Sequence, residues 1–455
     1  MTDIEKIKSS VLRKIKPSRA EEEHARRFVS DLMRVAKTVS GLDCVIVGSI
    51  GKQTWLRGDH DIDLFMLFPK DVPRQELEKK GLEFGKRIIR EMRGRHEIRY
   101  SEHPYVHGYV KGFVVDVVPC YRIGKGEKII SAVDRSPLHL EHIMSNLAAH
   151  DEARLLKQFC KGAGIYGSDV VMQGISGYIC ELLVLKYGSF EAALKAAASW
   201  EPGAVIALDN RQYDRKKFYN QPLVLIDPTD TGRNVAANLN PDNFVRFVLA
   251  ARNFLKKPDE SYFYYGHPKP LSARQLSLLK ARGTSFVVLR MKRPDIIEDI
   301  LFPQMRRALK RLETLLKQND FVTIGAVMHI DKEMHLIFEL ACERLPNIKK
   351  MVGPPIFSKK HSEEFLDKYN DAEFGPYIED IYWVVEKKRG FVTAPSLLKH
   401  FCRQKNLEAA GIPANVAKPV RSAKILDSAG LFKTIKKNKG LSSFLSKHYF
   451  EKLKS

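Results

Sequence analysis

Three aspartates lie in segments that otherwise read as apolar strand, and this limits the possible folds more than any other feature of the chain. Asp61-Ile62-Asp63 heads a strand-like run, Ile62 to Phe68, that Pro69 ends. Residues i and i+2 of a strand point to one face, about 7 Å apart. Asp61 and Asp63 therefore share a face, while Ile62, Leu64, Met66 and Phe68 take the other and face the core. Asp116 interrupts Phe113-Val114-Val115-Asp116-Val117-Val118. An ionised carboxylate among β-branched side chains is costly to bury unpaired, and two acids on one face raise each other's pKa. Singly, each Asp is explained by an arginine partner or a capped turn. If the two strands are neighbours, all three acids converge on one point. Hard divalent ions such as Mg²⁺ prefer oxygen ligands, and a pair about 3.5–4 Å apart can clamp the attacking and leaving oxygens of a phosphoryl displacement.

Around these strands the periodicity predicts a small mixed α/β sheet over residues 1–136. Ser18 and Glu21 form a capping-box pair, and Ala25, Phe28, Leu32, Ala36 and Val39 recur at helical spacing until Gly41. Cys44 to Val47 is a short apolar strand, followed by Gly48-Ser49 and a brief helix through Trp55. Gln75 to Met92 reads as an amphipathic helix. Ile98 to Tyr100, Tyr105 to Val110 and Phe113 to Val118 read as strands, the last two joined tightly at Lys111-Gly112. Residues 137–260 read as mostly helical, in Arg154–Cys160, Gly177–Tyr187, Phe190–Trp200 and Pro241–Leu255, with Asn240-Pro241 starting the last. The aromatic stretch from Tyr262 to Tyr265, leading to Pro270, marks a boundary; its rings either stack on bases or pack. Residues 261–455 mix strands (Phe286–Arg290, Val322–Ile330) with helices (Met305–Gln318) and end rich in lysine. The expected fold class is α/β (α+β) multidomain.

Charge separates the function classes. The 455 residues carry 76 Lys plus Arg against 54 Asp plus Glu, a formal +22. Such an excess favours a polyanion, because neutralising phosphates releases condensed counterions. Solubility alone asks for less. No run of about 18 apolar residues predicts a membrane span, and Met1 to Lys16 lack a signal core, so a cytoplasmic location is expected. The six cysteines are single and spread out, with no CxxC pair to suggest a zinc ribbon or disulfide framework. His103 and His107 have a spacing compatible with zinc, but no third ligand is in view.

Gly48-Ser49 lies directly after a buried strand. Glycine there lets backbone N–H groups approach a phosphate, Ser49 can donate a hydroxyl hydrogen bond, and Lys52 can meet a phosphate oxygen. No GxxxxGK[ST] P-loop occurs.

Gly48-Ser49, eleven residues, then Asp61-Ile62-Asp63 resembles the signature of the DNA polymerase β-like nucleotidyltransferase superfamily. Five further segments resemble the archaeal-type (class I) CCA-adding tRNA nucleotidyltransferases. They are Gly48 to Leu56, Glu102-His103-Pro104-Tyr105-Val106-His107-Gly108, Val115 to Tyr121, Ser131 to Pro137, and Arg233-Asn234-Val235-Ala236-Ala237-Asn238. The resemblance covers much of the first 240 residues and implies a nucleotidyltransferase palm, a helical central domain and a C-terminal RNA-binding body and tail. It also implies that Asp61, Asp63 and Asp116 bind Mg²⁺ and drive the chemistry, and that Ser49 and Lys52 hold the triphosphate. His139, Lys157 and Tyr166 would contact the nucleotide, and Arg233 would read the base edge. Taken without the resemblance, His139 reads as a cap or surface residue, Lys157 as a solvated cation and Tyr166 as a packing aromatic. Asp61 stands where the family often has Glu, and Lys52 where Arg is common, which keeps the charge but loses the bidentate fork. The implied substrates are tRNA, CTP and ATP, with a homodimer as the implied assembly. The alternatives are a poly(A) polymerase-like enzyme, a small-molecule nucleotidyltransferase and a non-catalytic RNA-binding relative.

Overall fold

A computed structural model of the chain describes residues 2–451 apart from 101 and 267, and leaves the side chain of residue 215 undescribed. The chain divides into two compact units, one reaching to Gly266 and one formed by the residues after it.

In the first unit, α1 (Asp3–Ile15) leads into α2 (Arg19–Ser40). The Ser18 side chain accepts from the Glu21 amide while the Glu21 carboxylate accepts from the Ser18 amide, which completes the expected capping box. Gly41, at φ +69°, ends the helix. Then follow β1 (Asp43–Val47), α3 (Gly48–Gly51), β2 (Asp61–Phe68), α4 (Arg74–Glu91), β3 (Arg95–Tyr100), β4 (Pro104–Val110) and β5 (Phe113–Tyr121). The expected helix through Trp55 is a single turn ending at Gly51. Trp55 is instead buried in the core beyond it.

The five strands form one sheet in the order β1-β2-β5-β4-β3, with β2 and β5 parallel and the other pairs antiparallel. Ile62, Leu64, Met66 and Phe68 bury one face of β2 in a core shared with α2 and α4. Phe65 buries the opposite face with Val47, Val118 and Cys120. At the β4–β5 turn both Lys111 (φ +48°) and Gly112 (φ +85°) have positive φ, the backbone a two-residue hairpin needs. A Cβ on Gly85 of α4 would lie 2.8 Å from the Val106 side chain, so glycine is what lets this helix lie close on the sheet.

The rest of the unit builds a second core. It contains α5 (Arg135–Asn146), α6 (His150–Gly162), α7 (Gly177–Tyr187), α8 (Phe190–Ala198), β6 (Ala204–Ile206), β7 (Leu223–Asp227), β8 (Asp230–Asn234) and α9 (Pro241–Lys256). The small sheet β6-β7-β8 adds to the mostly helical pattern expected for this region. Phe159, Phe190, Phe254 and Phe263 meet mainly edge to face at 5.5–5.8 Å, the geometry that aromatic quadrupoles favour. Tyr262 and Phe263 belong to this buried core, so packing accounts for them rather than base stacking.

The second unit comprises α10 (Ala273–Lys280), β9 (Ser285–Lys292), α11 (Glu298–Gln318), β10 (Thr323–Ile330), β11 (Glu333–Leu340), β12 (Ile348–Pro355), α12 (Lys359–Tyr369), β13 (Phe374–Glu379), β14 (Tyr382–Lys388), α13 (Ala394–Cys402), α14 (Ala414–Arg421), β15 (Lys424–Leu426), α15 (Ser428–Lys437) and α16 (Lys439–Phe450). Its sheets run β10-β11-β9-β15 and β12-β14-β13. In the lysine-rich end, Leu431, Ile435, Leu441 and Leu445 are buried while Lys433, Lys436, Lys437 and Lys439 are exposed. Among the described residues no helix is long and apolar enough to cross a membrane.

Candidate active site

Strand pairing brings the acids together. Asp63 of β2 lies opposite Asp116 of β5 in Cα register, and Asp61 stands two residues earlier on the same face of β2 as Asp63. On its other side Asp116 faces His107 of β4, whose Nδ1 is hydrogen-bonded to Asp116 Oδ1. Arginine pairing, the ordinary explanation of a strand acid, is therefore not the arrangement at Asp116. Burial, together with the charges of Asp116 and Asp61, pushes the Asp63 pKa up to about 6, and Lys52 pulls the other way without cancelling them. Burial also raises Asp116, opposed by His107.

A site that concentrates negative charge on hard oxygens suits a divalent cation. The strands fix the backbones, but the carboxylates themselves are not drawn into one ligand set. Among the described residues no three Asp, Glu, His or Cys groups are clustered tightly enough to hold a metal as they stand. With Asp116 Oδ1 turned to His107, gathering the acids requires side-chain rotation.

Gly48 closes this corner. A Cβ there would lie 1.9 Å from Asp63 Oδ2, and its φ of +65° suits glycine. Gly48→Ala is expected to displace the Asp63 carboxylate and strain the turn. Nucleotide incorporation should fall by roughly a hundredfold or more, on the scale of an approximately 1 Å misplacement of a reacting group. Steady-state assays check this, and a variant within twofold of wild type would show that Asp63 has another place to go.

The lysines surround one buried acid. Glu181 of α7 accepts from Lys52 Nζ at 3.0 Å, from Lys157 Nζ at 2.7 Å and from the Thr54 hydroxyl at 2.5 Å. Lys157 Nζ also donates to Thr54 Oγ1 at 2.7 Å and to the Thr54 carbonyl at 3.2 Å. Only 1% of Lys157 is exposed, so it is no solvated cation. Burial works against ionised Glu181, yet the charges of Lys157 and Lys52 bring its pKa down to about 2. Lys52 Nζ also lies 4.6 Å over the Tyr178 ring, a cation–π distance. Tyr166, its phenol pushed up by burial, comes to the start of α7 with Lys157. A Cβ on Gly177 would lie 2.9 Å from the Tyr166 hydroxyl and 3.4 Å from Lys157 Nζ. Ser49 is half-buried in the single turn of α3.

His139 and Arg233 meet at a different acid. Asp227, at the end of β7, accepts from His139 Nε2 at 2.9 Å and from Arg233 Nη1 at 2.7 Å. Both residues line a cleft of about 630 Å³, together with Tyr178, Ser176, Lys217 and Asn238.

Comparison with known proteins places this geometry. A nucleotidyltransferase domain model matches residues 31–139, a tRNA nucleotidyltransferase second-domain model residues 151–264, and a CCA-adding enzyme C-terminal domain model residues 282–426. The CCA-adding enzyme of Methanosarcina mazei is 39% identical over 406 residues, 87% of this chain and 88% of that one. The chain belongs to the CCA-adding enzyme family. Within this family the Methanocaldococcus jannaschii enzyme is 37% identical over 441 residues, 93% of this chain and 96% of that one. That of Archaeoglobus fulgidus is 35% identical over 393 residues, 86% and 87%. Membership makes the chain a nucleotidyltransferase, a class that uses divalent metal ions.

All nine residues that the resemblance singles out lie in the first unit, in three groups. These are the acids Asp61, Asp63 and Asp116; Ser49 and Lys52 with Lys157 and Tyr166; and His139 with Arg233. Four residues that tie these groups together escape the sequence reading: His107, weighed there only as a zinc ligand, and Tyr178, Glu181 and Asp227. His103 lies apart from them, with Nδ1 3.2 Å from Glu78.

Proposed function

We propose that this chain adds the terminal C, C and A to the 3′ end of tRNA without a template, from CTP and ATP, and that Asp61, Asp63 and Asp116 hold a pair of Mg²⁺ ions for the transfer. The observation that carries this reading is the in-register pairing of Asp63 with Asp116 on parallel strands, with Asp61 one pleat away, in a chain that matches CCA-adding enzymes over most of its length. When bound, the metal supplies a lowered pKa for the terminal 3′-hydroxyl and neutralises charge on the leaving pyrophosphate. The hydroxyl oxygen bonds to the α-phosphorus, the bond to the bridging oxygen breaks, and the hydroxyl proton is lost.

The chain's own residues position these partners. His107 holds one oxygen of Asp116 and leaves the other free. Lys52, paired with Glu181, meets the triphosphate beside Ser49. Lys157 of α6 and Tyr166 just after it back this lysine, and His139 and Arg233 face the base. The basic second unit would grip the folded top of tRNA by shape and phosphates, with affinity falling steeply as salt rises.

Sequencing the 3′ ends of end-truncated tRNA after incubation with Mg²⁺ tests the reaction. CTP alone should extend the RNA by two residues and stop, and ATP added afterwards should contribute one. An open-ended A tail from ATP alone would identify a poly(A) polymerase instead.

A further inference from the structure

We infer that residues 207–222 form a strap that closes over the nucleotide cleft and opens by sliding Phe218 into a second cavity behind it. The inference rests on the proposed function, because it takes the cleft around His139 and Arg233 to be the nucleotide's. It adds how that nucleotide enters and leaves.

The strap connects β6 to β7 and contains one short 3-10 turn (Arg215–Phe218). Its two ends are tied down. Arg211 donates to the Pro228 carbonyl, and Gln221 accepts from the Asn234 side chain of β8. Between these ties the described residues hydrogen-bond only within the strap, as where Asp214 accepts from the Lys216 amide. Backbone held in this way opens at less cost than backbone bonded into a sheet.

Phe218 is the anchor in the middle. It is 8% exposed and packs with Val224 and Ile226 of β7, against Val205, Ala207 and Tyr213. Phe218 and Gln221 line the nucleotide cleft together with Lys217. The same Phe218 and Gln221 line a second cavity of about 600 Å³, whose other walls include Val205, Val224, Phe244 and Val245. The strap is therefore a wall with space on both sides. In a close-packed interior a phenylalanine ring has nowhere to go; this one has. Val205 and Val224 touch Phe218 in its present seat and also line the second cavity. The ring can pass between the two along continuous apolar surface, without giving up its burial. Asn220, at φ +62°, makes the left-handed bend at the base of the strap, a conformation in which asparagine is enriched over most side chains.

A ligand shifts such an equilibrium only when it contacts the two states differently. Lys217 supplies the difference. With the strap closed its side chain lines the cleft that an anionic nucleotide enters, and withdrawal of Phe218 takes it away. A bound nucleotide then holds the strap shut, and release waits for reopening, a step that limits turnover in many enzymes.

Hydrogen exchange on the full chain, with and without CTP and Mg²⁺ and with no tRNA present, is the first test. Amides of residues 212–221 should exchange on the order of tenfold more slowly with CTP, and those of β7 at an unchanged rate. Contact with the nucleotide alone would also slow exchange, so a second measurement separates contact from closure. Val245, on α9, is 53% exposed and lines the second cavity rather than the cleft. Val245→Trp fills the space that the open strap needs. It should slow CTP dissociation by about tenfold and protect the strap even without CTP, whereas a strap that never moves would leave both unchanged. Equal exchange of residues 212–221 with and without CTP, or CTP dissociation from Val245→Trp within twofold of wild type, overturns the inference. Equilibrium dialysis with labelled CTP keeps the failures apart. A chain that binds no CTP loses the proposed function, and one that binds CTP with an unresponsive strap loses only the inference.

Discussion

Asp63→Asn is expected to lower CMP incorporation by about a thousandfold and at the same time to raise the melting temperature of the metal-free protein. Losing roughly 4 kcal/mol of transition-state charge stabilisation corresponds to about a thousandfold in rate. The stability gain follows from the pKa of Asp63, which rises from the ordinary 3.8 to about 6 through burial and the charges of Asp116 and Asp61. Below about pH 4 the carboxyl is protonated in both the folded and unfolded chain, so the substitution changes little. Between about pH 4 and 6 the unfolded chain ionises first, and the folded state loses stability as pH rises. Above pH 6 the full penalty applies, up to about 3 kcal/mol. Melting curves in chelator at pH 8 and pH 4.5 should therefore show the variant ahead of wild type at the higher pH and much closer to it at the lower. A variant less stable than wild type at pH 8 would mean that Asp63 is satisfied within the fold. Activity within tenfold of wild type would remove it from the chemistry.

Glu181→Gln is expected to cost about 3–5 kcal/mol of stability, because removing one member of a buried ion pair strands the others. Here one carboxylate serves two ammonium groups and a hydroxyl, and it is 1% exposed. The loss should appear as a drop in melting temperature on the order of 10 °C. Its pH dependence has the opposite sign to that of Asp63. Glu181 has its pKa depressed from 4.5 to about 2, so its contribution is complete above pH 4.5 and disappears as pH falls toward 2. The gap between wild type and variant should narrow over that interval. Glu181→Leu combined with Lys157→Met should recover at least half the loss, because apolar replacement of both partners removes their stranded charge, while Lys52 keeps its place over the Tyr178 ring. Equal melting temperatures for wild type and Glu181→Gln at pH 7 would show that the cluster contributes nothing net.

How far the sequence reveals this site depends on which physical signal each residue leaves. Asp61, Asp63 and Asp116 are legible because acids interrupt strand patterns, and the two-residue period alone says which side chains share a face. Asp227 leaves the same mark after Leu223-Val224-Leu225-Ile226, as does Glu181 in Ile179-Cys180-Glu181-Leu182-Leu183-Val184. Their partners hide them. Glu181 is matched to Lys52 across 129 positions and Asp227 to His139 across 88, and no local pattern reports such pairings. His107 is visible as a titratable residue, but its role depends on β4 lying beside β5. Lys157 reads as surface because helical periodicity cannot show that Glu181 waits on the next helix. Strand β8, Asp230-Thr231-Gly232-Arg233-Asn234, has few strand-forming residues; its pairing with β7 comes from chain reversal and burial rather than propensity.

The two acid-bearing strands are both interior members of their sheet, β2 between β1 and β5, and β5 between β2 and β4. Backbone bonded along both sides is the last part of a domain to loosen, so the spacing of the three acids is set by the stiffest portion of the chain. On the proposed function, a single rigid anvil would serve every stroke of a three-step synthesis. Any change of preference from one stroke to the next falls to the movable side chains around it and to the growing RNA end.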